Sequence, residues 1–260
     1  MTLTKRIVTA CATVAVAGIL HLPAQADFIE DFESYTPSAS LGSPWSNPHR
    51  ISGTTSDLLA TPNPSGYNVS GQGASGQSGG ASWSESSRAT NRDTGKTEFE
   101  LQWSARLLAR AGAISRLNLG VFGSGGQFLY FEMNGSGNVI DVATSDGAVP
   151  PQITGILRDT WYRSTVTIND NGGGNWSWSG DLEVDSGGSF IPAGSLGSGS
   201  LPAGFTPEAV DLNSIFADPE GALSSEMNAI DNISFTSIPE PATLALLGIG
   251  LLALVRNRRR

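Results

Sequence analysis

The stretch Asp181-Leu182-Glu183-Val184-Asp185 sets three carboxylates at alternate positions, the spacing that projects side chains from one face of a β-strand. Carboxyl groups placed in this way are the equipment of glycoside hydrolysis, one donating a proton while another acts as base or nucleophile. The same five residues also fit a solvated strand face beside a loop, and Glu98 and Glu100 carry that same pair of readings. Just upstream, Trp176 and Trp178 alternate with Asn175, Ser177 and Ser179. On an exposed face such indoles are platforms for stacking sugar rings; on an inner face they fill a core. Trp83, between Ser82 and Ser84-Glu85, poses the same choice. Asp31, Glu33 and Asp231 are hard oxygen donors that would suit a structural Ca²⁺ if the first and last strands meet.

Other chemistries lack their residues. The sole cysteine, Cys11, and one of the two histidines, His21, fall in the N-terminal apolar segment, so beyond it His49 is the one imidazole. That removes cysteine nucleophiles, disulfides and thiolate-bound zinc from the body of the chain. Residues 27–237 hold nine lysines and arginines against 23 aspartates and glutamates, a formal charge of −14. Such a body repels phosphate backbones, and nine scattered cations make no basic patch, which excludes a nucleic-acid partner.

The elements that must position these residues read as β throughout. Phe99, Leu101 and Trp103 alternate with Glu98, Glu100 and Gln102; Tyr162, Ser164, Val166 and Ile168 alternate with Trp161, Arg163, Thr165 and Thr167. Leu117, Leu119 and Val121 share one face, Phe128–Met133 returns as an apolar strand, and Val139–Ala143 follows, a hairpin series. Asp27–Tyr35 reads as a first strand and Ala229–Thr236 as a last one. Residues 36–95 are rich in proline and glycine, with short strands expected around 67–70 and 81–84, and Ser186–Pro207 reads as a Gly/Ser/Pro-rich loop. No stretch of 27–237 shows a 3.6-residue period of helical length. Many short strands between Gly-rich turns predict an all-β, antiparallel β-sandwich in a single domain over 27–237.

The two ends are addresses. Lys5-Arg6, the apolar run Ile7–Leu22 and Pro23-Ala24-Gln25-Ala26 form a signal peptide, residues 1–26, that signal peptidase would cut after Ala26. At the other end Pro239-Glu240-Pro241 precedes apolar Ala242–Val255, then Arg256, Asn257, Arg258, Arg259 and Arg260. As a helix, those 14 apolar residues reach only about 21 Å. A hydrocarbon layer is about 30 Å thick, so the segment suits transit better than permanent anchoring. The terminal arginines hold that end in the cytoplasm.

Residues 238–260 resemble the PEP-CTERM sorting signal over its whole length, Asn257 being the one interruption of its basic run. The resemblance implies a short transmembrane sorting helix and recognition of Pro239-Glu240-Pro241 by an exosortase-type membrane protease. It further implies removal of the helix and delivery to the outer surface or exopolysaccharide matrix of a Gram-negative bacterium. Asp31–Tyr35, Trp161–Ile168 and Ile230–Phe235 together resemble the concanavalin A-like lectin/glucanase jelly rolls, which implies that the first and last strands are neighbours. The glucanases of that fold carry their acids in the order Glu, Asp, Glu, the inverse of Asp181, Glu183 and Asp185. The expected protein is therefore a non-catalytic surface or matrix protein that binds exopolysaccharide, with a glycoside hydrolase as the alternative.

Overall fold

The computed structural model describes residues 25–36, 41, 43–45, 59–62, 69, 72–75, 84–90, 97–106, 114–135, 138–147, 153–217 and 228–238. Its strands, in chain order, are β1 (Gln25–Glu30), β2 (Leu59–Pro62), β3 (Gln72–Ser75), β4 (Ser84–Ala89), β5 (Glu98–Arg106), β6 (Ile114–Gly123) and β7 (Phe128–Asn134). They continue as β8 (Val139–Thr144), β9 (Ile153–Thr154), β10 (Trp161–Asp170), β11 (Trp176–Asp185), β12 (Phe190–Leu201), β13 (Pro207–Ala217) and β14 (Ala229–Ile238). One short 3₁₀ turn, Ser124–Gly126, interrupts them, and no α-helix occurs among the described residues.

Two antiparallel sheets result. The first runs β12-β11-β10-β5-β14-β3-β2, with β1 also paired to β14; the second runs β4-β13-β6-β7-β8-β9. The first and last strands are neighbours, with Ile29 opposite Ser234. Their inner faces supply one core. Phe99, Leu101, Trp103, Val166, Ile168, Leu182 and Phe235 come from the first sheet, and Leu117, Leu119, Val121, Leu129, Phe131, Met133 and Val210 from the second. The alternation that predicted these faces is the pleat itself, since a period of two sends every second side chain inward.

Two expectations need correction. Ser186–Pro207 is not a loop: residues 190–201 form the edge strand β12, registered on β11 from Asp185↔Phe190 to Trp176↔Leu201. Without β12, the outer hydrogen-bonding groups of β11 would be unpaired, and Leu196 and Leu201 gain burial by closing over it. The first strand ends at Glu30, because Phe32 adopts φ 58° and the chain turns through Phe32–Tyr35. Phe32 is buried all the same, packed on Trp45 and Tyr35.

A buried carboxylate holds that N-terminal turn. Glu30 Oε1 accepts from the Phe32 amide at 3.0 Å. Its Oε2 accepts from Trp45 Nε1 at 2.9 Å, Arg88 Nη1 at 3.0 Å and the Tyr35 hydroxyl at 3.3 Å. The Arg88 guanidinium also lies 4.2 Å from the centre of the Phe28 ring. Because β1 belongs to the first sheet and β4, which carries Arg88, to the second, this cluster ties the two sheets together along one margin.

Candidate functional site

The residues that alternate with the core positions of β6 and β7 fall on the outer face of the second sheet: Arg116, Asn118, Gly120 and Phe122 on β6, and Phe128, Tyr130, Glu132 and Asn134 on β7. Register aligns them in rungs. Phe122 stands opposite Phe128, Gly120 opposite Tyr130, and Asn118 opposite Glu132. Asp141 of β8 faces Glu132 from the other side, and Asp211 of β13 faces Gly120.

Gly120 makes one contact possible. A Cβ there would lie 2.5 Å from Tyr130 Cδ1 and 2.1 Å from the Leu129 carbonyl oxygen, so only glycine leaves room for the Tyr130 ring to cross this strand. The ring reaches over β6 and its hydroxyl donates to Asp211 Oδ2 on β13 at 2.8 Å. Phe122, Phe128 and Tyr130 then form a contiguous aromatic group, with centroids 5.2 to 6.4 Å apart. Both phenylalanines are only partly buried.

Beside the rings lies a polar row. Arg116 Nη1 stands 3.4 Å from Glu132 Oε1. Burial raises the Glu132 carboxyl above its ordinary pKa; Arg116 opposes the shift, Asp141 adds to it, and a hydrogen bond from Asn118 opposes it. Asn118 is 8% exposed, and its Oδ1, like Arg116 Nε, is buried without a hydrogen-bond partner among the described residues. Partly buried aromatic rings next to hydrogen-bonding side chains are the components of a sugar site. Glu132 and Asp141, directly opposed across two strands, are also a carboxyl pair.

The residues singled out from sequence are placed elsewhere. Trp176 and Trp178 are core side chains, 6% and 2% exposed, packed against Phe99, Phe205 and Phe131. The inner face of β11 claims them, so they offer no sugar platform. Trp83 lies outside the described residues, as do His49 and residues 239–260. Asp181, Glu183 and Asp185 do share the outer face of β11, but with different tasks. Asp181 is exposed, Glu183 Oε2 pairs with Arg163 Nε at 2.5 Å, and Asp185 Oδ1 accepts from the Gly188 amide at 2.9 Å to shape the turn into β12.

Asp31 and Glu33 face solvent in the turn after β1, whereas Asp231 is fully buried, its Oδ1 accepting from the Asn232 amide at 2.7 Å. Among the described residues no group of three or more His, Cys, Asp or Glu side chains is arranged to hold a metal ion. The described residues also contain no helix long and apolar enough to cross a membrane. Sequence reading passed over Asn118, Tyr130, Glu132 and Asp141. The alternation of β6 and β7 places them opposite the core positions, but which strands lie side by side is not written in either one.

No curated protein matches the chain in sequence. Among solved structures, the PL-14 alginate lyase from Aplysia kurodai is similar at 9% identity, covering 83% of this chain and 100% of that one with a TM-score of 0.50. The CBM2 module of the evolved Dit of Lactobacillus casei BL23 phage J-1 shares 14% identity over 84% of this chain and 98% of its own, TM-score 0.45. The endo-β-1,4-glucuronan lyase from the fungus Trichoderma reesei shares 9% over 82% and 96%, TM-score 0.41. At such identities the first likeness is one of fold, a jelly-roll β-sandwich. Residues 237–260 match the PEP-CTERM protein-sorting motif, which implies export, processing by an exosortase and transient membrane anchoring in a Gram-negative bacterium.

Proposed function

We propose that the protein is a non-catalytic glycan-binding component of the cell surface or exopolysaccharide matrix, and that the outer face of β6, β7 and β8 receives the sugar. One observation carries this reading: Phe122, Phe128 and Tyr130 form a continuous aromatic group, its two phenylalanines only partly buried, beside the carboxyl groups of Glu132 and Asp141. Apolar sugar faces stack on the rings while hydroxyls supply the donors that Glu132 and Asp141 accept. Among the described residues, Glu132 and Asp141 stand on this face beside the guanidinium of Arg116, with Asp211 fully buried against the Tyr130 hydroxyl. A neutral or amine-bearing glycan therefore suits it better than a polyuronate.

A glycan array followed by calorimetry tests the reading. Phe128→Ala is expected to weaken binding about tenfold while leaving the thermal midpoint nearly unchanged. Undiminished binding in that variant would move the site elsewhere.

The opposed carboxyls of Glu132 and Asp141 favour a second reading, a glycan-cleaving enzyme with Glu132 as proton donor and Asp141 as its partner. Release of reducing sugar from a bound glycan, abolished by Glu132→Gln, would establish it over the first. Asp181, Glu183 and Asp185 are weaker candidates for that chemistry, since Arg163 and the β11–β12 turn already engage two of them.

A further inference from the structure

The two targeting segments leave the sandwich from one rung. Gln25 of β1 is registered opposite Ser237 of β14, and Ala26 opposite Thr236. On its other side β14 is registered on β5, Thr236 opposite Glu100, Ser237 opposite Phe99 and Ile238 opposite Glu98. The sorting motif begins at Ser237, which is buried, so its first two residues are already part of the sheet and Pro239 follows with no spacer. The expected leader boundary, Ala26, likewise lies inside β1 rather than ahead of it.

We propose that this end of the sandwich, formed by Gln25-Ala26 and Thr236–Ile238, is the surface presented to the membrane proteases, and that leader removal opens the rung that shields the sorting signal. A protease must hold extended backbone on both sides of the bond that it cuts. Next to Pro239-Glu240-Pro241, the N-terminal side of any such bond is Ser237-Ile238, whose backbone is engaged in the ladder. Cutting the leader after Ala26 detaches Gln25 and Ala26 from their partners and leaves Thr236 and Ser237 held by β5 alone. The end of β14 then frays more readily, and an open segment is cut in proportion to the time it spends open. Leader cleavage thus comes first and tail removal second. Each cut is a hydrolysis: water adds to the scissile carbonyl, leaving a carboxylate on one fragment and a free amine on the other. The prolines and the membrane segment are needed for recognition, but the sheet sets the timing.

The test follows tail removal by pulse-chase and intact mass in cells carrying the exosortase. A flexible Gly-Ser spacer of about six residues between Ile238 and Pro239 reads the shielding without touching either strand. It is expected to speed tail removal roughly tenfold. Ala26→Phe places a large residue where signal peptidase needs a small one, and is expected to retain the leader and slow tail removal by a similar factor. Adding the spacer to Ala26→Phe is expected to bring tail removal to the rate of the spacer chain alone, because the bond then lies off the ladder whether or not the leader is cut. Equal rates for the native and spacer chains would overturn the shielding. Equal tail removal with and without leader cleavage, or Ala26→Phe slowed but not rescued by the spacer, would overturn the order. Hydrogen exchange on purified chains gives an independent readout: the amides of Thr236–Ile238 are expected to exchange faster when residues 1–26 are absent, and unchanged exchange would refute the coupling.

Discussion

At the scale of single residues, the most consequential position on the outer face has no side chain. Gly120 lets the Tyr130 ring cross β6 to Asp211, and Gly120→Ala would drive a methyl group into that ring and into the Leu129 carbonyl. The expected result is a loss of about 1–3 kcal/mol in stability, the range for overpacking. Glycan binding should weaken with it, whereas Tyr130→Phe, which keeps the ring and removes only the hydroxyl, should leave stacking intact. Denaturant unfolding and calorimetry on the two variants separate these effects.

Glu132 has a pH signature. Its folded carboxyl titrates above the ordinary value of 4.5, so the stability that it contributes is full below that value and is lost as pH rises through the higher folded pKa. Glu132→Gln should flatten this part of the profile of thermal midpoint against pH. Tyr35 behaves in the same sense at the alkaline end: burial, then the charge and hydrogen bond of Glu30, push its phenol up to about 12. Its contribution is complete below its ordinary 10.0 and is lost as pH rises through about 12. Glu30→Gln should bring that titration down when followed by ultraviolet absorbance. The same change should cost about 3 kcal/mol in unfolding experiments, because it strands Arg88 in a largely buried cluster.

At the scale of elements, β11 shows how one strand can mislead. It carries two tryptophans and three acids, and read alone it suggests both a sugar platform and a catalytic row. Its inner face spends Trp176 and Trp178 on the core, while its outer face gives Glu183 to Arg163 and Asp185 to a turn. Trp178→Ala is therefore expected to cost about 3–5 kcal/mol of stability through the cavity it leaves. Any loss of glycan binding should track unfolding in a melt monitored alongside binding. By contrast, Asp181→Asn on this exposed face should change neither quantity measurably.

At the scale of the whole molecule, charge and topology act together. A body of −14 surrounds a face on which the carboxyl groups of Glu132 and Asp141 flank Arg116, so alginate is expected to bind more weakly than a neutral glucan of the same length. Raising salt should narrow the gap, since added ions screen the repulsion. Tighter binding of alginate would contradict the charge argument. A jelly-roll sandwich hosts many unrelated functions, so the fold leaves the activity to the side chains placed on it. Its closure between β1 and β14 brings the expected leader and the sorting motif to one end of the sandwich.

Local pattern in the chain was enough for the all-β class, most strand positions and the inner faces of β5, β6 and β10. It was also enough for the sorting signal, read over 238–260 and matched over 237–260, because alternation and a contiguous motif are properties of neighbouring residues. It missed β12, whose Gly/Ser composition carries no strand signal of its own and which is a strand because β11 offers it an edge. The site on the outer face could not be read in advance for the same kind of reason. Arg116, Asn118, Tyr130, Glu132, Asp141 and Asp211 come from four strands spread over nearly a hundred positions, and only the pairing of β13 with β6, β6 with β7 and β7 with β8 sets them side by side. That order is decided by packing two whole sheets around one core, a long-range choice that no single segment contains.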